Sequence, residues 1–250
     1  MPSRLKLIVA YDGAPYSGWQ SQPNGNGIQD HLERVFERIC SEPVRVHGAG
    51  RTDAGVHALA QCAHVDLPTP RYGAERWRSA LNGVLPPSIR IMQCRFAAQS
   101  FHARFSATGK IYRYRIWNGE VLPPLENGRV WHVREPVDRA AISAAAGLFV
   151  GRHDFASFAA NRGAPVADTT RTIRRVLLLR HSNSLLSLEF EADGFLYKMA
   201  RLMVGALVQV GSGKVSPNEI RTRLRHSKQR TSEARNVAPA GGLFLVRVRY

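Results

Sequence analysis

Residues 169–192 read TTRTIRRVLLLRHSNSLLSLEFEA, two strand-like runs either side of His181-Ser182-Asn183. Aliphatic and β-branched residues fill both runs, and a short polar break between such runs signals a β-hairpin. Hairpin-joined strands are antiparallel, whereas a doubly wound parallel sheet needs a helical crossover between neighbours. The reading is therefore an α/β (α+β) fold with mixed or antiparallel sheets flanked by helices.

Downstream of the hairpin, residues 195–210 are apolar almost all round, the pattern of a buried helix, with Gly211 and Gly213 to stop it. Pro217 opens a basic helix to about 226, and LFLVRVRY (243–250) closes the chain as a strand. Upstream, a helix spans 138–150, with Ala141, Ile142, Ala145, Leu148 and Phe149 facing inward, and KIYRYRIW (110–117) is a strand.

The N-terminal half has similar ingredients. RLKLIVAYD (4–12) alternates like a half-buried strand and leads into the loop GAPYSGWQSQPNGNG (13–27). A helix follows at 28–39, with Ile28, Leu32, Val35, Phe36 and Ile39 on one face and Asn26 as its cap. Val44–His47 is a short strand running into the loop GAGRTDAGVHALAQ (48–61). Trp77, Leu81 and Val84 mark a helix at 74–84, ended by Pro86-Pro87, and IRIMQCRF (89–96) is the next strand. These halves define two similar subdomains, 1–105 and 106–250, with no linker composition at their boundary.

Charge is the strongest compositional signal. Lys and Arg number 35 against 19 Asp and Glu, so the formal charge is 35 − 19 = +16. Such an excess repels the folded chain from itself and suits a polyanionic partner. The cations are spread along the chain and arginine dominates, which favours bidentate phosphate contacts over a flexible basic tail. No apolar run approaches the roughly 18 residues that cross a bilayer. The N-terminus lacks the pattern of a signal peptide, so the expectation is a cytoplasmic protein without membrane contact. Cys40, Cys62 and Cys94 are odd in number and widely spaced, which predicts buried free thiols. His47, His57, Cys62 and His64 lie close in sequence, but only the last two approach zinc-ligand spacing, so no metal is expected.

The loop 48–61 holds the candidate chemistry. Gly48, Gly50 and Gly55 free the backbone for tight turns and for close approach of a ligand. If Arg51-Thr52-Asp53 is extended, Arg51 and Asp53 share one side. The loop lacks the GK[ST] ending of a phosphate loop and the pattern of a dinucleotide fingerprint. Taken alone, it reads first as an ordinary surface loop with a satisfied Arg–Asp pair.

RTDAGVHA (51–58), preceded by Gly50, resembles the signature of the tRNA pseudouridine synthase A family. YDGAPYSGWQ (11–20), FHARFSATGKIYRY (101–114), GRHDFASF (151–158), GFLYKMARLMVG (194–205) and GGLFLVRVRY (241–250) resemble further segments of that family, in the same order. Ala200 departs from the family, where Val or Ile usually precedes the Arg; this changes packing size alone. The resemblance implies a pseudouridine synthase fold with a central basic cleft. It also implies cofactor-free isomerisation of uridine to pseudouridine in the tRNA anticodon stem-loop, at tRNA positions 38, 39 and 40. Asp53 is then the nucleophile, Arg201 its ion-pair partner, Arg51 the side chain that enters the RNA as the base flips out, and Tyr112 the aromatic of the uridine pocket. Lys110, Arg113, Arg115 and Lys198 are the expected phosphate contacts, and a homodimer binding tRNA is implied.

The chemistry agrees with the residue types. The base–sugar C–N bond breaks, the uracil turns, and a C–C bond forms at the same sugar carbon, so no atoms need to be supplied. An ionised carboxylate can attack, or can balance a cationic sugar centre. His57, His102 and His153 are ordinary suspects for proton transfer, but the family pattern gives them no chemical role. Two other functions fit the charge: a non-catalytic RNA-binding protein or chaperone, and a metal-dependent nuclease built on Asp53 and nearby histidines.

Overall fold

The computed structural model describes residues 3–68, 72–160, 167–225 and 237–250. The chain forms two compact units, one of residues 1–108 with 244–250, the other of residues 109–243. None of the described helices is long and apolar enough to cross a membrane.

In the first unit, β1 (Ser3–Tyr11) runs antiparallel to both β3 (His57–Leu67) and β4 (Ile89–Phe96). β2 (Val46–Gly48) pairs antiparallel with β3. The C-terminal strand β10 (Leu243–Arg249) lies parallel to β3, with Phe244 opposite His57. That pairing brings the last seven residues into the first unit. Leu5, Leu7, Val9 and Tyr11 are buried at alternate positions of β1. α1 (Ile28–Cys40) buries Ile28, Leu32, Val35 and Phe36, and α2 (Ala74–Val84) buries Trp77 and Leu81. The Phe36 and Trp77 rings meet at 5.7 Å, which locks the two helices together.

Two local expectations change. The cap of α1 is Gly27, whose N–H donates to the Asp30 carboxylate at 2.7 Å, while the Asn26 side chain donates to Pro15 O at 2.9 Å. The loop expected over 48–61 ends at Val56, and His57 begins the longest strand of the unit. Cys62, Ala63, His64 and Val65 are all buried, so this strand is covered on both faces and shows no polar alternation.

The edge of the first unit near 97–106 is fastened by side chains. Arg4 donates to both Asp66 carboxylate oxygens, at 2.8 and 2.7 Å, and to the carbonyls of Gln99 and Phe101. The Lys6 ammonium lies over the rings of Phe101 and Tyr250, at 4.4 and 3.9 Å from their centroids. Burial is the main cause that lowers its pKa. Tyr250 Oη donates to Ala103 O at 2.7 Å.

In the second unit, the hairpin is present as β8 (Thr170–Arg180) and β9 (Leu185–Ala192). β5 (Gly109–Trp117) pairs antiparallel with β9, β7 (Gly151–Asp154) pairs antiparallel with β8, and β6 (Trp131–His132) lies parallel to β5. α3 (Arg139–Ala146) is capped by Asp138, which accepts from the N–H groups of Ala140 and Ala141 at 2.8 and 3.0 Å. α4 (Met199–Gly211) is buried along most of its length and packs on α3. It starts four residues later than its hydrophobicity suggests, because Met199 N–H closes a turn onto Leu196 O at 3.1 Å in which Lys198 takes a left-handed backbone (φ 57°). α5 (Pro217–Arg225) is the basic helix; its expected last residue, 226, lies outside the described residues. Both units are thus mixed sheets flanked by helices.

Candidate active site

The segment Ala49–Val56 joins β2 to β3 and carries Asp53. Its main chain is held from several directions. Ala49 N–H donates to Cys62 O at 2.8 Å, and the Gln61 amide donates to Gly50 O at 2.8 Å. Trp19 N–H donates to Thr52 O at 3.1 Å, and Val56 N–H closes a turn onto Asp53 O at 3.1 Å. Gly55 occupies that turn with φ +77°, a conformation that favours glycine. Thr52 is buried and shares a 2.8 Å hydrogen bond with the Tyr11 hydroxyl. Arg51 is exposed, and its Nε donates to Gln20 at 2.9 Å; Asp53 is half-buried. Buried Thr52 therefore separates exposed Arg51 from half-buried Asp53.

The loop 13–27 packs under this segment. A side chain at Gly18 would lie 2.6 Å from Thr52 O and 3.0 Å from Asp53 C, and the Gly18 backbone is at φ +96°. One at Gly13 would lie 2.0 Å from Val56 O. The Tyr11 and Trp19 rings sit 6.1 Å apart. Burial pushes the Tyr11 phenol above its ordinary pKa, against its hydrogen bonds to Thr52 and Gln61. It therefore stays protonated and fixes Thr52. His57 is buried, accepts from Gly13 N–H through Nδ1 at 3.1 Å and stacks on Phe244 at 4.6 Å. These contacts give it a structural role beside the loop.

The other candidates lie in the second unit. Tyr112 is buried on β5, opposite Phe190, with its ring edge-on to Phe195 at 4.9 Å. Tyr114 shares that strand face, is fully buried, and donates to Pro239 O at 2.8 Å. Arg201, on the first turn of α4, donates through Nε to Ala238 O at 2.7 Å, and its own carbonyl accepts from Ala238 N–H at 3.2 Å. Its charge pulls against the burial that raises the Tyr114 pKa.

The expected phosphate contacts divide. Arg113 and Arg115 alternate with the two tyrosines, so they project from the opposite side of β5. Arg113 pairs with Glu189 at 2.9 Å and Arg115 with Glu126 at 2.8 Å. Lys110 sits opposite Ala192 at the start of β5, and the Lys198 ammonium lies 5.2 Å from the centre of the Tyr197 ring. Among the described residues, no three His, Cys, Asp or Glu side chains converge to hold a metal ion. His153 Nε2 lies 3.1 Å from Val150 O.

Sequence reasoning missed Tyr11, Gly18, Trp19, Gln20 and Gln61, which hold the loop. The alternation of β1 places Tyr11 on its buried face, but nothing in the sequence joins it to Thr52.

A strongly basic chain with a half-buried aspartate on a loop held through its main chain suits an enzyme that acts on nucleic acid. The sequence profile of the tRNA pseudouridine synthases matches residues 7–106 and 145–250. The proteins named tRNA pseudouridine synthase A from Solidesulfovibrio magneticus and Akkermansia muciniphila are 45% and 43% identical to this chain. Each alignment covers 99% of this chain, and 91% and 95% of the respective relative. The namesake from Rhodopseudomonas palustris is 42% identical, over 99% of both chains. The chain belongs to the tRNA pseudouridine synthase family.

Proposed function

We propose that this protein converts uridine to pseudouridine in the anticodon stem-loop of tRNA, at positions 38, 39 and 40, with Asp53 as the catalytic carboxylate. The observation that carries the reading is the loop itself: three main-chain hydrogen bonds and one from the Gln61 side chain fix the segment around Asp53 while the residue stays half-exposed. A reacting group held in place before the substrate arrives loses little entropy at the transition state.

The target uridine leaves the RNA stack before its glycosidic bond is reached. Arg51 enters the space it vacates, and Tyr112 offers the extruded base an aromatic contact. Asp53 attacks as nucleophile while the C–N bond breaks, and its carboxylate is expelled again before the product forms. The uracil turns, its C5 bonds to the sugar carbon, the C5 proton departs, and N1 gains a proton. Atoms balance without a cofactor. Arg201 supplies the countercharge that keeps the carboxylate ionised once water is excluded. Replacing Arg201 by Ala should lower kcat about 100-fold, while Arg201→Lys retains a larger part; equal kcat in all three proteins would remove this role. Lys110, Arg113, Arg115 and Lys198 are the candidates for phosphate contacts, and Arg113 and Arg115 must give up Glu189 and Glu126 to serve. The protein works in the cytoplasm, as a homodimer that binds the anticodon arm.

The test is an unmodified tRNA transcript labelled with tritium at uracil C5. Pseudouridine formation releases that label, leaves the RNA chain intact and proceeds in the presence of EDTA. A non-catalytic RNA-binding protein retains the label, and a metal-dependent nuclease cuts the RNA until chelated. Absence of release from every tRNA transcript would refute the proposal.

A further inference from the structure

Phe105 is the most exposed aromatic among the described residues, at 77% exposure, and it is held in place. Isolated exposed apolar side chains are ordinary. Here the N–H groups of Arg104 and Phe105 both donate to His102 Nδ1, at 3.1 and 3.2 Å. His102 and Ser106 close the turn twice: His102 N–H donates to Ser106 Oγ, and Ser106 N–H to His102 O, each at 2.9 Å. The turn is anchored through Ala103, whose N–H donates to the buried His64 at 3.1 Å.

The rings continue this scaffold inward. Phe105 lies 4.3 Å from His102 at a tilt of 31°. His102 meets His64 edge-on at 4.6 Å, and His64 stacks on His47 at 4.9 Å. Burial is the main cause that lowers the pKa of His64, to about 4, and it also lowers that of His102, so both are neutral near pH 7 and stack without mutual repulsion. One face of Phe105 is therefore backed by imidazole, and the ring remains largely open to solvent. The Arg104 guanidinium is 5.6 Å from the ring centre.

We propose that Phe105 is a stacking platform for an unpaired base of the RNA, in addition to the uridine that reacts, with Arg104 meeting the adjacent phosphate. A fixed aromatic face beside a guanidinium matches a nucleotide: base on ring, phosphate on cation. A second copy of this chain is the weaker fit. Phe105 is flanked in sequence by the polar residues Arg104 and Ser106. The inference rests on tRNA being the substrate, but its failure is separable from failure of that reading.

The test measures binding of an unmodified tRNA transcript to wild type, Phe105→Ala, Phe105→Trp and Arg104→Gln across a range of salt. Base–aromatic stacking predicts about tenfold weaker binding for Phe105→Ala. Its slope of log affinity against log salt should stay unchanged, because no charge is lost, and Phe105→Trp should restore affinity. Arg104→Gln should reduce that slope by about one. Wild-type affinity in Phe105→Ala would overturn the platform, as would Phe105→Trp binding as weakly as the alanine variant. A change of sedimentation in Phe105→Ala alone would assign the ring to a protein interface and overturn it too. Tritium release by the wild type tests the tRNA reading independently of Phe105.

Discussion

Asp53→Asn should bind tRNA at least as tightly as the wild type and release less than about one thousandth as much C5 tritium per unit time. Asparagine keeps the size and planarity of the side chain and removes its charge. Much of the loop's hold is on its main chain: Val56 binds the Asp53 carbonyl, Trp19 binds that of Thr52, and Gln61 binds that of Gly50. The fold around residue 53 should therefore survive. Losing an anion from a surface that receives a polyanion removes a repulsion, so affinity should stay level or rise. Chemistry is affected in the opposite direction, because an uncharged amide is a poor nucleophile and stabilises a cationic sugar centre weakly. Turnover within tenfold of wild type would exclude Asp53 as the reacting group. Lost binding with an unfolded loop would instead make the residue structural.

How far the sequence discloses this arrangement varies by element. The β8–β9 hairpin was legible from two aliphatic runs either side of a short polar break, and α1 because it buries one face with a clean helical period. β3 was not, because buried Cys62, Ala63, His64 and Val65 erase the alternation by which a strand is recognised. The start of α4 was hidden for a related reason. Phe195, Leu196 and Tyr197 are as apolar as the helix that follows, and nothing local announces that Lys198 turns left-handed. Asp53 stood out through its motif, whereas the groups that hold its loop come from Tyr11, Trp19 and Gln61 and meet it only after folding. Arg113 and Arg115 teach the complementary lesson. Which cation is neutralised depends on cross-strand register, here Arg113 opposite Glu189, and register is a property of the assembled sheet.

The second large effect belongs to a residue with no side chain. Gly18→Ala should lower the stability of the protein by about 2–4 kcal/mol and its turnover about 100-fold. Two causes add. At φ +96° an L residue is strained, and the new methyl carbon would stand 2.6 Å from Thr52 O and 3.0 Å from Asp53 C. Those atoms are main chain, so no side chain can rotate aside; the segment carrying Asp53 must itself move. A shift of that size at a reacting group is costly, because catalysis depends on alignment held to a fraction of an ångström. Gly25 separates the two causes. It lies in the same loop with φ +62°, but a methyl there would meet only the far end of Arg34 at 3.9 Å. Gly25→Ala should thus cost about 1 kcal/mol through backbone strain and leave turnover near wild type. Urea midpoints and tritium release from the two variants decide the matter. If both lose turnover equally, general loop rigidity limits the reaction and close contact beneath Asp53 does not. If Gly18→Ala alone fails, the packing of loop 13–27 under Thr52 and Asp53 positions the carboxylate.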